Sequence, residues 1–265
     1  MPEGDTVWRV AARLHEALAG RPLRRTDFRV PRLATTDLAG RTVSEVVARG
    51  KHLLTRVDGG LTLHSHLRMD GSWHLYRPGQ ARHGGPDWQV RAVLENADWL
   101  VVGYRLPVLE LVATAEESEI VGHLGPDLLG ADWDEAQSLR RLRADPAREI
   151  GEALLDQRLL AGIGNLYKCE TLFLRGRSPW TRVVDVDDLA EVVRLARRLL
   201  TANKAVPEQS TTGDTRRGRE HWVYGRADRP CRRCGARIAA AEQGPPGYAR
   251  LTFWCPRCQP GPARA

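Results

Sequence analysis

Lysine is almost missing from this 265-residue chain: Lys51, Lys168 and Lys204 are the only three, and the rest of its 40 basic residues are arginine. A codon bias across a genome explains the arginine but not the three exceptions, so each lysine invites its own reason. Long apolar runs are missing too. No uncharged stretch approaches the roughly 20 residues that cross a bilayer, and the chain opens on two acids within its first ten residues, with no apolar segment. The sequence is therefore expected to be soluble and cytoplasmic. Internal repeats are absent as well, which excludes a solenoid or propeller array.

What is present is positive charge. The formal net charge is +7 with an isoelectric point near 9.5, which suits a polyanionic partner, although a basic surface can also serve solubility alone. Most of the excess falls between Arg216 and Arg237, where eight arginines face only Glu220 and Asp228. A solvated linker face would look similar, but Trp222 and Tyr224 are interleaved with the arginines, as base-stacking and phosphate-binding surfaces require.

Hydrophobic periodicity divides the chain. Val7, Val10, Ala11, Leu14, Ala17 and Leu18 fall at helical spacing, so a helix is predicted from Thr6 to Ala19, capped at Asp5 or Thr6 and ended by Gly20. Short β-rich runs follow at residues 43–47, 53–57, 61–67, 89–95 and 99–102, separated by turn residues. The pattern becomes helical after Gly125-Pro126-Asp127, with one helix expected over 154–160, another over 166–174, and a further one where Leu189, Val192, Val193, Ala196, Leu199 and Leu200 fall at helical intervals. Residues 204–218 lose periodicity and read as a linker or mobile loop, and residues 260–265 as a frayed tail. The expected class is α+β: an N-terminal β-sandwich with a packed helix over 1–126, a helical domain over 127–215, and a cysteine module with its basic flank over 216–265.

Four of the five cysteines have metal-ligand spacing. Cys231 and Cys234 form one C-x2-C pair, Cys255 and Cys258 another, with twenty residues between. That spacing predicts one zinc ion held by four thiolates, a closed coordination shell with a structural role. Two disulfides would need an oxidising compartment, which nothing else in the sequence supports. Cys169 lies in an apparent helix and reads as a core residue. Between the pairs, Tyr248 to Trp254 alternates like a strand and places Arg250 near a hairpin tip, where it suits a phosphate or a nucleic-acid groove, or plain solvent.

Two further features bear on chemistry. Gly162-Ile163-Gly164-Asn165 interrupts two helical segments, and such a turn exposes backbone N–H groups at a helix start, where the dipole favours an anion; it also suits an ordinary interhelical turn. At the other end of the chain, removal of Met1 would leave Pro2 with a free secondary amine. An α-amino group titrates at about 7.7 to 8.0, so a useful fraction is neutral and nucleophilic near neutrality. Attack on a sugar C1′ would give an iminium that promotes elimination of phosphate, and Glu3 is placed to move protons.

Taken in order, Met1-Pro2-Glu3-Gly4, Arg49-Gly50-Lys51, the Gly162–Asn165 turn and the cysteine hairpin carrying Arg250 resemble the formamidopyrimidine-DNA glycosylase and endonuclease VIII family over essentially the whole chain. The resemblance implies a bifunctional DNA glycosylase and abasic-site lyase acting on damaged double-stranded DNA as a monomer, in the bacterial nucleoid. It implies Pro2 as nucleophile, Glu3 as general acid and base, and Lys51 as a hairpin lysine on the phosphate near the lesion. Asn165 and Arg250 would grip phosphates beside a flipped nucleotide, with Gly162 and Gly164 shaping the helix-two-turn-helix. Met69 stands where the family inserts a void-filling wedge; otherwise it is a core methionine. Tyr104-Arg105-Leu106-Pro107-Val108 points to the endonuclease VIII branch and oxidised pyrimidines, while His66-Leu67-Arg68-Met69 is closer to the other branch. Thr6 replaces an acid often found there. Two other readings stay open: Lys51 as the Schiff-base amine, and a non-enzymatic zinc-containing nucleic-acid binder resting on the arginine cluster.

Overall fold

Alternation of apolar and polar side chains makes two antiparallel sheets in the N-terminal half, and a computed structural model of the protein describes them within residues 2–262. The chain divides into two compact units, Met1–His123 and Leu124–Ala265. In the first, helix α1 (Gly4–Leu18) precedes strands β1 (Arg25–Phe28), β2 (Val43–Arg49), β3 (His52–Val57), β4 (Leu61–His66), β5 (Ser72–Tyr76), β6 (Val90–Glu95), β7 (Leu100–Tyr104) and β8 (Val108–Ala113), and helix α2 (Glu117–Val121) follows. The strands pair as β1-β6-β7-β5 and β2-β3-β4-β8. Leu53 and Leu63 from one sheet, Leu94 and Val101 from the other, and Val7, Leu14 and Leu18 from α1 share one core, the expected sandwich with a packed helix.

Helix α1 begins two residues earlier than its periodicity suggests. Glu3 occupies the N-cap position with extended backbone, and Asp5, expected to cap, lies fully buried inside the first turn. Strands β1, β5 and β8 carry too few β-branched residues in strict alternation to stand out from the sequence; pairing with β6, β7 and β4 recruits them.

The face of the β2-β3-β4-β8 sheet turned away from the core is polar. Arg56 donates Nε and Nη2 to the two oxygens of Glu117 at 2.8 and 2.7 Å and Nη1 to Glu45 at 2.5 Å, and Thr62 adds a bond to Glu117 at 2.6 Å. These partners hold Glu117 below the usual carboxylate range. Further along the same face, His64 sits opposite Glu110, and His52 sits opposite His66. His64 Nδ1 lies 2.7 Å from Glu110 Oε1, and His64 Nε2 lies 2.9 Å from His52 Nδ1. Burial first, then the neighbouring His66, His64, His123 and Lys51, push His52 down to about 3. Burial and the nearby Arg68, Lys51 and His64 push His66 down to about 4.

In the second unit, α3 (Glu135–Arg143), α4 (Ile150–Leu155), α5 (Asn165–Arg175) and α6 (Leu189–Asn203) pack around Leu154, Leu160, Leu166, Leu172, Val193 and Leu200. The helix predicted over 154–160 instead ends at Leu155. The Asp156 carboxylate takes the Arg158 backbone N–H at 3.0 Å together with the guanidinium groups of Arg158 and Arg148, and that local bonding replaces another helical turn.

Strands β9 (Ala239–Gln243) and β10 (Arg250–Trp254) form the hairpin between the cysteine pairs. Cys169 and Phe173 of α5 share a core cluster with Val223, Cys231, Ile238, Phe253 and Cys255, so the helical and cysteine segments lie within one unit. Cys169 is the buried core residue expected, and it accepts the Phe253 N–H.

Within residues 204–218, expected to be a linker or mobile loop, Ser210 to Thr212 are held by local bonds. Asn203 exchanges two bonds with the backbone of Ser210 at 2.7 and 2.9 Å, and the N–H groups of Thr211 and Thr212 both reach the Glu220 carbonyl. Low apolar content removed the periodic signal, but the Ser, Thr and Asp that replaced it bond locally. At the C-terminal end Ser178 donates to the Pro262 carbonyl, so the expected fraying does not hold at that residue; residues 263–265 lie outside those described.

Glu170 organises this region. Fully buried on α5, it accepts the backbone N–H groups of Trp222, Val223 and Tyr224, each at 2.8 Å, and the Thr211 hydroxyl.

Two outcomes are expected. Glu170→Ala leaves those donors buried without an acceptor and lowers unfolding free energy by at least about 3 kcal/mol in denaturant titration, with faster amide exchange at residues 222–224. His52 and His66 stay uncharged when folded but take up protons once unfolded below their ordinary value of 6.5. Their contribution is therefore complete above that value and is lost as pH falls from 6.5 towards about 4 and 3. The denaturation midpoint should drop between pH 7 and pH 5, and His52→Asn should flatten that drop.

Candidate functional site

The sequence-selected residues of the first unit occupy the start of α1 and two strand-connecting turns. Pro2 is half-buried, and Glu3 beside it is fully buried at the N-terminal end of α1, where the helix dipole favours a carboxylate. Thr6 sits one turn on, half-buried. Lys51 lies in the β2–β3 turn, which Gly50 enters at φ 58°, a left-handed value suited to glycine.

Met69 lies in the β4–β5 turn and is 61% exposed, so it is not a core methionine. That turn is held from several sides. The Gly71 N–H reaches the Leu67 carbonyl at 2.9 Å, and the Arg68 N–H donates to His66 Nδ1 at 2.9 Å. A side chain at position 71 would sit 2.7 Å from the Leu67 carbonyl oxygen, which requires glycine. Arg105, at φ 48°, donates Nε to the Asp70 carbonyl at 3.1 Å and also bonds Gln89. The 104–108 segment, which in the sequence points to the endonuclease VIII branch, supplies Arg105 as a brace for the Met69 turn. Its sole sequence signal was a cation in an otherwise apolar segment.

In the second unit, Gly162 adopts φ 99° and donates its N–H to Gln157 Oε1 at 3.1 Å. Gln157 Nε2 then donates to the carbonyls of Leu155 and Ile163, both at 2.9 Å, so one side chain threads the whole turn. Sequence reasoning passed over Gln157, because a polar residue at a helix end carries no pattern. Gly164 caps α5, and Asn165 is its first residue. The Asn165 amide donates to the Leu251 carbonyl at 2.8 Å. The turn and the start of β10 are thereby joined, which brings Asn165 together with the strand carrying Arg250. Arg250 is exposed at the loop end of the β9–β10 hairpin, paired with Gln243.

The lysines separate in role. Lys168 is fully buried and bonds Thr252 Oγ1 at 2.6 Å, joining α5 to β10. Lys51 remains half-buried in its turn.

Part of the arginine cluster is engaged within the protein. Trp222 stacks on Phe173 and donates to the Thr211 carbonyl, and Tyr224 packs edge-on against Phe253. These rings belong to the protein's own packing and are not an open stacking platform. Arg226 caps the carbonyls of Trp222 and Pro230, Arg232 those of His221 and Gly218, and Arg233 lies 4.6 Å over Phe173. A guanidinium with five donors suits such carbonyl capping, and composition cannot distinguish it from phosphate binding.

The four cysteines converge. Their sulfurs all lie within 4.8 Å of one another, with Cys231–Cys258 at 3.9 Å and Cys234–Cys255 at 3.5 Å. Those separations are too long for disulfides. They match the spacing of about 3.8 Å that a tetrahedron of zinc–sulfur bonds of about 2.3 Å demands. The donor set therefore fits one zinc ion.

Comparison with known proteins follows this geometry. The family profile for the formamidopyrimidine-DNA glycosylase N-terminal domain matches residues 1–105. Probable endonuclease 8 2 of Streptomyces coelicolor is 61% identical over 265 residues, covering 99% of this chain and 95% of that protein. The DNA-(apurinic or apyrimidinic site) lyase Nei2 of Mycolicibacterium smegmatis is 48% identical, covering 98% and 99%. Lactococcus lactis formamidopyrimidine-DNA glycosylase, solved non-covalently bound to DNA containing an abasic site, gives a TM-score of 0.81 at 25% identity over 98% of this chain and all of that one. The same protein solved with DNA containing an oxidised pyrimidine gives 0.81 at 26% over the same shares of the two chains. With these relatives spanning nearly its whole length, the chain belongs to the formamidopyrimidine-DNA glycosylase and endonuclease VIII family.

Proposed function

We propose that this protein is a bifunctional DNA glycosylase and abasic-site lyase that excises oxidised bases, pyrimidines foremost, from double-stranded DNA. The observation that carries the reading is Glu3, a carboxylate withdrawn from water at a helix start, directly beside Pro2 in a chain of this family. The relatives support it in kind: one is named as an abasic-site lyase, and the solved neighbours hold DNA with abasic or oxidised sites. We place the protein at nucleoid DNA in a bacterial cytoplasm, acting as a monomer. No described helix is long and apolar enough to cross a membrane.

The reaction then runs as follows. With Met1 removed, the neutral Pro2 nitrogen bonds to C1′ as the bond from C1′ to the base breaks. The proton released from the Pro2 nitrogen leaves with the departing base, and Glu3 protonates the ring oxygen as the sugar opens, leaving a Pro2 iminium. That cation withdraws electrons from C2′; loss of a C2′ proton expels the 3′ phosphate, and a second elimination expels the 5′ phosphate. A flipped nucleotide is needed before C1′ is reachable, and kinked DNA needs phosphate grips. We assign those to Lys51, Asn165 and Arg250, with Gly162 and Gly164 shaping the turn that presents Asn165 and Met69 filling the vacated stack. Zinc on Cys231, Cys234, Cys255 and Cys258 would close the base of the hairpin that presents Arg250, a structural task. Inward-facing Trp222 and Tyr224 weigh against a binder that relies on the arginine cluster alone.

Borohydride should trap the Met1-processed protein on DNA holding an abasic site or thymine glycol, and protein that keeps Met1, with the Pro2 nitrogen held in an amide, should give no adduct. No adduct from the processed protein on any lesion overturns the proposal. Glu3→Gln should lose base excision by about 100-fold or more while retaining much of the cutting at preformed abasic sites, measured by single-turnover gel assay. Removing metal with a strong thiol-competing chelator should release about one zinc per chain and weaken DNA binding in proportion, with zinc restoring both.

A further inference from the structure

Half of the chain's eight histidines, His52, His64, His66 and His123, gather on the polar face of the β2-β3-β4-β8 sheet, and the chemistry above employs none of them. Their bonding has a direction. A carboxylate at Glu110 can only accept, so His64 Nδ1 donates to it, and a neutral His64 ring then leaves Nε2 to accept. His52 Nδ1 then donates across 2.9 Å, with the two rings stacked 5.0 Å apart at 21°. One proton on each ring satisfies the whole chain, and His64 is nearly sealed, its side chain only 3% exposed.

The chain ends beside a residue that matters. His52 is the first residue of β3 and is bonded directly to Lys51, in a turn whose other member is the conformationally free Gly50. His66, edge-on to His52 at 5.0 Å, binds the N–H of Arg68 and so fixes the start of the Met69 turn. The cluster thus anchors the Lys51 turn and the Met69 turn to the same sheet. Keeping His52 and His66 uncharged spares Lys51 a second cation at its side; its own charge helps hold them so.

We propose that Glu110, His64 and His52 form a positioning relay that fixes the Lys51 turn for strand cleavage. This rests on the proposed lyase reading. The relay touches no substrate atom and acts through Lys51, which distinguishes it from a contribution to folding alone.

A double-mutant cycle on the full chain tests this, with incision of preformed abasic DNA under single-turnover conditions as the readout. His64→Phe and Glu110→Ala should each slow incision by about tenfold, while His64→Gln, which keeps an acceptor for His52, should recover most of the loss. In a Lys51→Ala background the same changes should cost less than about twofold, because the residue they orient is gone. A full tenfold loss persisting there, or unchanged incision by His64→Phe and Glu110→Ala, overturns the relay. If His64→Phe fails to fold, Glu110→Ala and His64→Gln carry the cycle. Wild-type protein that never incises abasic DNA overturns the lyase reading itself, an outcome distinct from an active wild type with an indifferent relay.

Discussion

A charge withdrawn from water must be met bond for bond, and that constraint shapes both units of this protein. Glu170 gathers three consecutive backbone N–H groups and a hydroxyl, and the chain from Thr211 to Tyr224 takes its course around the carboxylate. Arg56 gathers two carboxylates on the polar sheet face, and Glu117 ties α2 to β3 and β4. Neither group gains much over a well-packed apolar alternative, since desolvation consumes most of the Coulomb attraction. What each contributes is uniqueness: a segment with almost no apolar content has a single position in which its donors are satisfied.

The same constraint explains what could be read from the sequence. Elements that bury apolar faces were legible: α1, α6, and strands β2, β3, β4, β6 and β7 all follow from periodicity. The zinc cluster was legible because four sulfurs at fixed spacing have few other uses. Elements fixed by polar bonding were not. Asp156 stops α4 by capturing its own neighbours, Ser210 to Thr212 are held by local bonds, and Gln157 threads its turn, all without an apolar pattern. Within the arginine cluster, Arg226, Arg232 and Arg233 also serve carbonyls and rings of the protein itself, and no sequence pattern marks those bonds.

Of the candidate site, the positions were legible but their support was not. Pro2, Glu3, Lys51, Asn165 and Arg250 came from motifs, whereas the residues that hold them in place sit far away in sequence and belong to no motif. Arg105 reaches the Met69 turn across 35 residues, and Glu110 reaches His64 across 46. Cross-strand register creates those partnerships, and register is a property of the whole sheet.

The bond from Asn165 to position 251 carries a final consequence. Its acceptor is a main-chain carbonyl, so the side chain of Leu251, nearly half exposed, makes no part of the link. Substitutions there can accumulate without loosening the hairpin from the turn. Displacing β10 by a single residue is another matter: alternate carbonyls in a strand face opposite ways, so the oxygen would swing out of reach. The joint therefore tolerates drift in identity but not in length, and insertions or deletions between Thr252 and Cys255 should be far rarer among relatives than exchanges at Leu251.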